Sequence, residues 1–203
     1  MQIPLFPLPN VVLFPGVYLP LHIFEPRYRA MVVDALDGDR LIGMVLLRPG
    51  FEEDYEGRPP VFDVGCAGVI THHERLPDGR FNIVLQGTER FRIRDEDHSR
   101  PYRIGHVESL AESLSTQPLE VRSIRQRLES LVTVLVEKHR GELSIPPSMT
   151  DVDVVHALAQ YLDLAPLEKQ ALLEMDNLLS RASALADLLE MHSLAHGGMG
   201  GMH

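Results

Sequence analysis

The first twenty residues carry five prolines, Pro4, Pro7, Pro9, Pro15 and Pro20, within a strongly apolar stretch running from Met1 to Phe24. A proline inside a helix removes a backbone donor and clashes with the preceding turn, so this stretch is expected to fold as short extended pieces joined by turns. A membrane-spanning helix is excluded on the same ground. No lysine or arginine precedes Arg27, so the basic start of a secretory signal is missing too, and folding is expected to begin at residue 1.

Short β-rich runs broken by Gly, Pro and Asp continue to about Ser109. Val11–Phe14, Val17–Phe24, Leu41–Leu47, Val61–Thr71, Phe81–Leu85, Glu89–Arg94 and Tyr102–Leu110 predict seven strands. Closing them into a barrel removes the edges that such strands otherwise expose. One amphipathic helix interrupts them: Pro26 sits in its first turn, and Tyr28, Met31, Val32, Ala35 and Leu36 share one face. Asp37-Gly38-Asp39 stops it, glycine accepting the left-handed conformation of a helix end. Leu76-Pro-Asp-Gly-Arg80 predicts a hairpin turn, and the acidic, aperiodic segment Phe51–Pro60 a mobile loop.

Beyond Thr116 the period changes to that of helices. Val121, Ile124, Leu128, Leu131, Val132 and Leu135 mark one long amphipathic helix to about His139, ended by Gly141 and Pro146-Pro147. Three more follow, over Asp151–Leu162, Pro166–Met175 and Asn177 to about Ala195, with Thr150 or Asp151 and Asn177 as N-caps. The expected fold class is therefore α+β: a β-barrel with one packed helix over 1–115, a helical bundle over 116–195, and a disordered Gly/Met/His tail over 196–203.

With 44% hydrophobic and 24% charged residues the chain is globular in composition, and its formal net charge of -10 repels nucleic acid and anionic membrane as a whole. A single cysteine, Cys66, forms no internal disulfide and suits a reducing compartment, so a cytoplasmic location is expected. Phosphate-binding G-x-x-x-x-G-K-[ST], nucleophile G-x-S-x-G and zinc-binding H-E-x-x-H patterns are all absent, so no catalytic residue, cofactor or metal is predicted. Cys66 lies in the apolar run Val64–Ile70, some 20 Å of strand away from His72, and reads as a buried structural thiol. His192 and His196, with Met191, Met199, Met202 and His203 nearby, resemble a soft-ion site in composition alone, since nothing rigid would preorganise a glycine-rich tail.

Two surface features stand out. Six arginines, Arg80, Arg90, Arg92, Arg94, Arg100 and Arg103, fall within 24 residues, and strand alternation places Arg90, Arg92 and Arg94 on one face with Phe91 and Ile93 toward the core. Because Glu89, Asp95, Glu96 and Asp97 share that window, a solvated, salt-bridged outer face is favoured over a basic patch for nucleic acid. The N-terminal run of Phe6, Phe14, Tyr18, Leu19, Ile23 and Phe24 either packs into the core or leaves part of its surface as a groove for extended polypeptide.

Ile3-Pro-Leu-Phe-Pro-Leu-Pro-Asn-Val-Val-Leu-Phe-Pro-Gly16 and Leu19-Pro-Leu-His-Ile-Phe-Glu-Pro-Arg-Tyr28 resemble the Lon protease N-terminal (substrate-binding) domain family, especially its stand-alone bacterial form. Leu85-Gln-Gly-Thr-Glu-Arg-Phe-Arg-Ile93 and Leu162-Asp-Leu-Ala-Pro-Leu-Glu-Lys-Gln-Ala-Leu-Leu-Glu174 extend the resemblance over both halves. It implies a PUA-like barrel followed by a helical bundle, acting in substrate recognition. Lon continues into ATPase and Ser-Lys protease parts, and this chain stops before either would begin, so neither activity is expected to carry over. The implied role is a non-catalytic module that binds unfolded or extended polypeptides around Phe14, Tyr18, Phe24 and Tyr28, as an adaptor or recognition factor for a protease or chaperone. The long helix after Thr116 is a candidate homodimer surface. The alternative is an RNA-binding PUA-like protein using Arg90, Arg92 and Arg94.

Overall fold

A computed structural model describes residues 1–54, 57–97, 99–112, 118–139, 145–146 and 148–197. In chain order the elements are β1 (Gln2–Leu8), β2 (Tyr18–Ile23), α1 (Pro26–Asp37), β3 (Leu41–Leu46), β4 (Val64–Arg75), β5 (Phe81–Asp97), β6 (Arg103–Leu110), α2 (Pro118–His139), α3 (Asp151–Tyr161), α4 (Pro166–Glu174) and α5 (Leu178–Gly197). The chain is thus mixed α+β, with six strands in one sheet ordered β2-β5-β4-β3-β1-β6, and β6 pairs back onto β5. Among the described residues no helix is long and apolar enough to cross a membrane.

Among the described residues six strands form where seven were expected, and the differences have physical causes. Val11–Phe14 is not a strand, although Val12, Leu13 and Phe14 are buried, whereas Gln2–Leu8 is one despite Pro4 and Pro7. Residues 2–5 pair antiparallel with β6, and residues 5–8 pair parallel with β3. Met1 offers its carbonyl to Val107 and Leu8 offers its own to Leu47, so odd residues point their backbone groups toward β6 and even ones toward β3. The missing N–H of Pro4 therefore faces β3 before that pairing begins, and that of Pro7 faces β6 after that pairing has ended. Each proline occupies a place where no donor is required. The expected strands Phe81–Leu85 and Glu89–Arg94 are one seventeen-residue strand, β5, long enough to pair with β2, β4 and β6 in turn.

Helix α1 buries Tyr28, Met31, Val32 and Ala35, as its spacing predicts. Its end departs from expectation, since the left-handed residue is Arg40, at φ 60°, and not Gly38. Leu76–Arg80 makes the β4–β5 hairpin turn, with Gly79 at φ 81°. Part of the expected loop is a short 3-10 turn over Phe51–Asp54, while residues 55 and 56 lie outside the described residues. Thr150 caps α3 by accepting the Asp153 N–H at 3.2 Å, and Asn177 accepts from Ser180 N at 2.9 Å before α5. Helix α5 runs through His196 and Gly197, where a disordered tail was expected, and residues 198–203 lie outside the described residues.

Ile3, Leu5, Val45, Ala67, Phe91 and Val107 form one apolar cluster. Room for it comes from glycines: a Cβ at Gly43, Gly65 or Gly105 would stand 2.9, 2.7 or 2.8 Å from Phe91, Phe91 or Leu5 side-chain atoms. A second cluster joins α1 to β3, β4 and β5 and contains the fully buried Cys66. A third joins Val12, Phe14, Val17, Leu46 and Val64 of the sheet half to α2, α3, α4 and α5.

Polar groups complete that last junction. Arg181, at 0% exposure, donates to the Leu172 carbonyl at 2.9 Å, the Met175 carbonyl at 2.8 Å and Glu112 Oε2 at 2.8 Å. From β5, Arg90 donates to the carbonyls of Leu173 at 3.0 Å and Met175 at 2.6 Å and lies 3.7 Å from Glu112. Two guanidinium groups thus cover the carbonyls at the end of α4, where helical donors run out after Met175 N–H bonds the Leu172 carbonyl at 3.3 Å. Arg181 also donates to His156 Nε2 at 3.0 Å. An arginine only donates, so Nε2 is the accepting nitrogen, and Nδ1–H donates to the Pro15 carbonyl at 3.1 Å. Burial, reinforced by the Arg181 charge, pushes the His156 pKa down to about 4.

Two outcomes follow for stability. Arg181→Leu removes the nearest countercharge of Glu112 and a buried donor to each of the Leu172 and Met175 carbonyls, and is expected to cost about 3–5 kcal/mol in urea unfolding. A loss below about 1 kcal/mol would contradict the junction described. His156 titrates lower in the folded chain than in the unfolded one, so the unfolded state takes up the proton first as pH falls. This residue's contribution is intact above about pH 6.5, shrinks below it and is exhausted near pH 4, with about 2 kcal/mol lost between pH 7.5 and pH 5. His156→Gln should flatten the pH dependence of unfolding by that amount, and identical slopes in parent and variant would refute the assignment.

Candidate functional site

Strand β2 pairs with β5 alone, so its other edge is open along its whole length. Two glycines fix where it starts. Gly16, at φ 78°, turns the chain after Pro15 and donates to the Gly87 carbonyl at 2.8 Å, while Gly87 N–H donates to the Val17 carbonyl at 2.8 Å. A Cβ on Gly87 would lie 2.1 Å from the Phe14 carbonyl oxygen, so only glycine admits this approach. From Val17 onward the odd residues of β2 direct their backbone groups to β5, in register Leu19↔Leu85, Leu21↔Ile83 and Ile23↔Phe81. The even residues Tyr18, Pro20 and His22 direct theirs outward. Pro20, without an N–H, again falls on the unpaired side.

The side chains of Tyr18, Pro20 and His22 are exposed together with Phe24, the next even residue, and Tyr18 and Phe24 are 51% and 60% exposed. His22 is held in place by Asn82 Oδ1 at 2.8 Å from its Nδ1, and its ring stacks near Phe24 with centroids 6.3 Å apart. At the other end of the strand stands Tyr161, the last residue of α3 and 65% exposed, whose hydroxyl donates to the Tyr18 carbonyl at 3.2 Å. Beyond Tyr161 a cavity of about 120 Å³ opens between apolar side chains that include Ile145, Met149, Ala157 and Leu162. An open strand edge, an exposed aromatic row and an apolar cleft therefore meet at one place.

The four aromatic residues singled out in the sequence divide. Tyr18 and Phe24 belong to this surface. Phe14 is fully buried beneath α3, its ring 5.9 Å from that of His156, and Tyr28 is buried against Phe6 at 4.5 Å. Neither is available to a partner, because the Pro15–Gly16 turn and the inward face of α1 carry them into separate cores. Tyr161 and its cleft were not anticipated, since one tyrosine at a helix end has no periodic signature.

The arginine stripe is corrected more fully. Phe91 is buried and Ile93 half-buried, but the opposite face at Arg90 is covered by the helical half, and Arg90 is itself 3% exposed and spent on the α4 carbonyls. Arg92 lies opposite Glu108 in the ladder, and Arg94 pairs with Glu108. Among the described residues, Arg90, Arg92 and Arg94 thus form no uncompensated basic row for nucleic acid. The Cys66 thiol is buried, and burial pushes its pKa upward, away from reactivity. His192 pairs with Glu168 at 3.0 Å, while Met199, Met202 and His203 lie outside the described residues. Among the described residues no three potential metal-ligating side chains cluster.

Similarity to known proteins runs along nearly the whole chain. Lon protease 2 of Myxococcus xanthus is 28% identical over 195 residues, covering 92% of this chain and 23% of the relative. The Lon protease of Parabacteroides distasonis is 31% identical over 199 residues, covering 92% of this chain and 23% of the relative. The chain thus spans about a quarter of the length of these relatives. Among solved structures, the N-terminal domain of the Mycobacterium avium complex Lon protease superposes with a TM-score of 0.70 at 18% identity, covering 95% of this chain and 100% of that one. The Lon N-terminal domain protein from Xanthomonas campestris gives 0.59 at 23% identity, covering 91% and 96%. These two carry the same mixed fold. Residues 2–191 match the ATP-dependent protease La (LON) substrate-binding domain, and the chain belongs to that family.

Proposed function

We propose that this protein is a non-catalytic recognition module that binds unfolded or extended polypeptide segments, serving as an adaptor or substrate-recognition factor in proteolysis. The observation that carries it is the exposed row of Tyr18, Pro20 and Phe24 beside the apolar cleft at Tyr161, on a chain of the LON substrate-binding family. Exposed apolar surface rimmed by polar groups marks an interaction site.

In the same reading the strand ring β5-β4-β3-β1-β6 is a PUA-like barrel within a unit spanning 1–115, and α2 to α5 form a bundle within 116–195. The return of β6 onto β5 and the glycine-lined apolar interior support the barrel, and the shared core of the four helices supports the bundle. The module works in the cytoplasm beside a protease or chaperone, and α2 is its candidate homodimer surface.

Burial of aromatic side chains supplies the affinity. In fluorescence anisotropy, a labelled, permanently unfolded polypeptide should bind with a Kd that changes less than about twofold between low and high salt. Tyr18→Glu and Phe24→Glu should each weaken binding about tenfold, the size of one lost buried aromatic contact. Equal affinity for a folded control protein, or full affinity in both variants, would reject the proposal.

A further inference from the structure

The outward side of β2 carries backbone groups as well as side chains. Tyr18 and His22 each direct an N–H away from β5, and the carbonyls of Tyr18, Pro20 and His22 point the same way. The Tyr18 carbonyl accepts from Tyr161, and the rest form a row repeating every two residues, about 6.8 Å. Such a row is matched in spacing and polarity by one kind of molecule, an extended peptide backbone.

We propose that β2 takes up a client segment as an added strand, so that the client is held by main-chain hydrogen bonds along the open edge and its apolar side chains lie on the row Tyr18, Pro20 and Phe24. The proposal rests on the polypeptide-recognition reading and specifies how that recognition is made. Main-chain pairing is indifferent to client sequence, which suits a module that must accept many unfolded chains, while the exposed aromatics restrict it to segments with apolar residues at alternate positions. Tyr161 marks one end of the added strand, because its hydroxyl already occupies the outward carbonyl of Tyr18. Pro20 disfavours the competing occupant, a second copy of this chain. Antiparallel pairing of two β2 edges centred there would oppose two residues that both lack an N–H.

The experiment uses a labelled twelve-residue peptide with alternating apolar and charged side chains, which fixes the face it presents. It is made in three forms: unmodified, N-methylated at alternate amides, and N-methylated at the complementary set. Only one set of amides faces β2 in an added strand. One methylated form should therefore bind at least about tenfold more weakly, through loss of the two hydrogen bonds to the Pro20 and His22 carbonyls, while the other stays within about twofold. His22→Pro, which deletes an outward N–H but no backbone bond to β5, should weaken the unmodified peptide about fivefold relative to His22→Ala, which loses the same side-chain bond to Asn82, with circular dichroism confirming the fold of both.

If the unmodified peptide binds and both methylated forms match it, clients are held by side chains alone, so strand addition fails while polypeptide recognition stands. If both methylated forms lose binding equally, pairing along one edge is overturned. Absence of binding by the unmodified peptide and by the unfolded polypeptide alike would remove the recognition reading itself. A dimer dispersed by His22→Pro would make a second copy the occupant of the edge and defeat the proposal.

Discussion

Two guanidinium groups at the end of one short helix hold this molecule in register. Arg90 reaches from β5 and Arg181 from α5, and together they take the carbonyls of Leu172, Leu173 and Met175 where α4 ends. Glu112, the last described residue before the helices begin, supplies the countercharge to both. The sheet is thereby tied to α4 and α5, and through His156 and the Pro15 carbonyl to α3 and the turn that begins β2. Where β2 starts, and how close Tyr161 stands to it, both depend on this buried polar junction. Apolar contacts supply much of the adhesion between the halves, but they do not set direction as hydrogen bonds from a planar guanidinium do.

Strand pairing shows a similar economy. The chain spends its prolines where a strand lacks a neighbour: Pro4 and Pro7 at the two half-open stretches of β1, and Pro20 on the free side of β2. The candidate site lies where pairing is missing along the whole of β2, beside the exposed aromatic side chains of Tyr18 and Phe24.

Much of this was legible in the sequence. Helix α1 and the three helices after Thr150 follow from apolar spacing and capping residues, because local periodicity and local hydrogen bonds create them. The family resemblance reached both halves, and of the aromatic residues singled out Tyr18 and Phe24 are exposed. What failed depended on neighbours distant in sequence. Pro4 and Pro7 speak against a strand until the one-sided pairing of β1 is known. Alternation placed Arg90, Arg92 and Arg94 on a common face, but it carries no information on what covers that face, and at Arg90 the cover comes from residues more than eighty positions away. Phe14 and Tyr161 were misjudged and overlooked for the same reason, since exposure is set by tertiary packing.

The glycines around Phe91 have a consequence for what such a scaffold can carry. Gly43 and Gly65 stand where even a methyl group would strike the Phe91 ring, and Gly105 where it would strike Leu5. On the barrel reading, a ring of strands packed this tightly around Phe91 leaves little room for a lumen, whereas larger rings enclose a small molecule by leaving that volume empty. Enlarging any of the three glycines would strain the ring, and shrinking Phe91 would leave a dry void rather than a binding chamber. A new ligand specificity is therefore more readily grafted onto the outer loops and helices than carved from the interior, which serves as a solid hub.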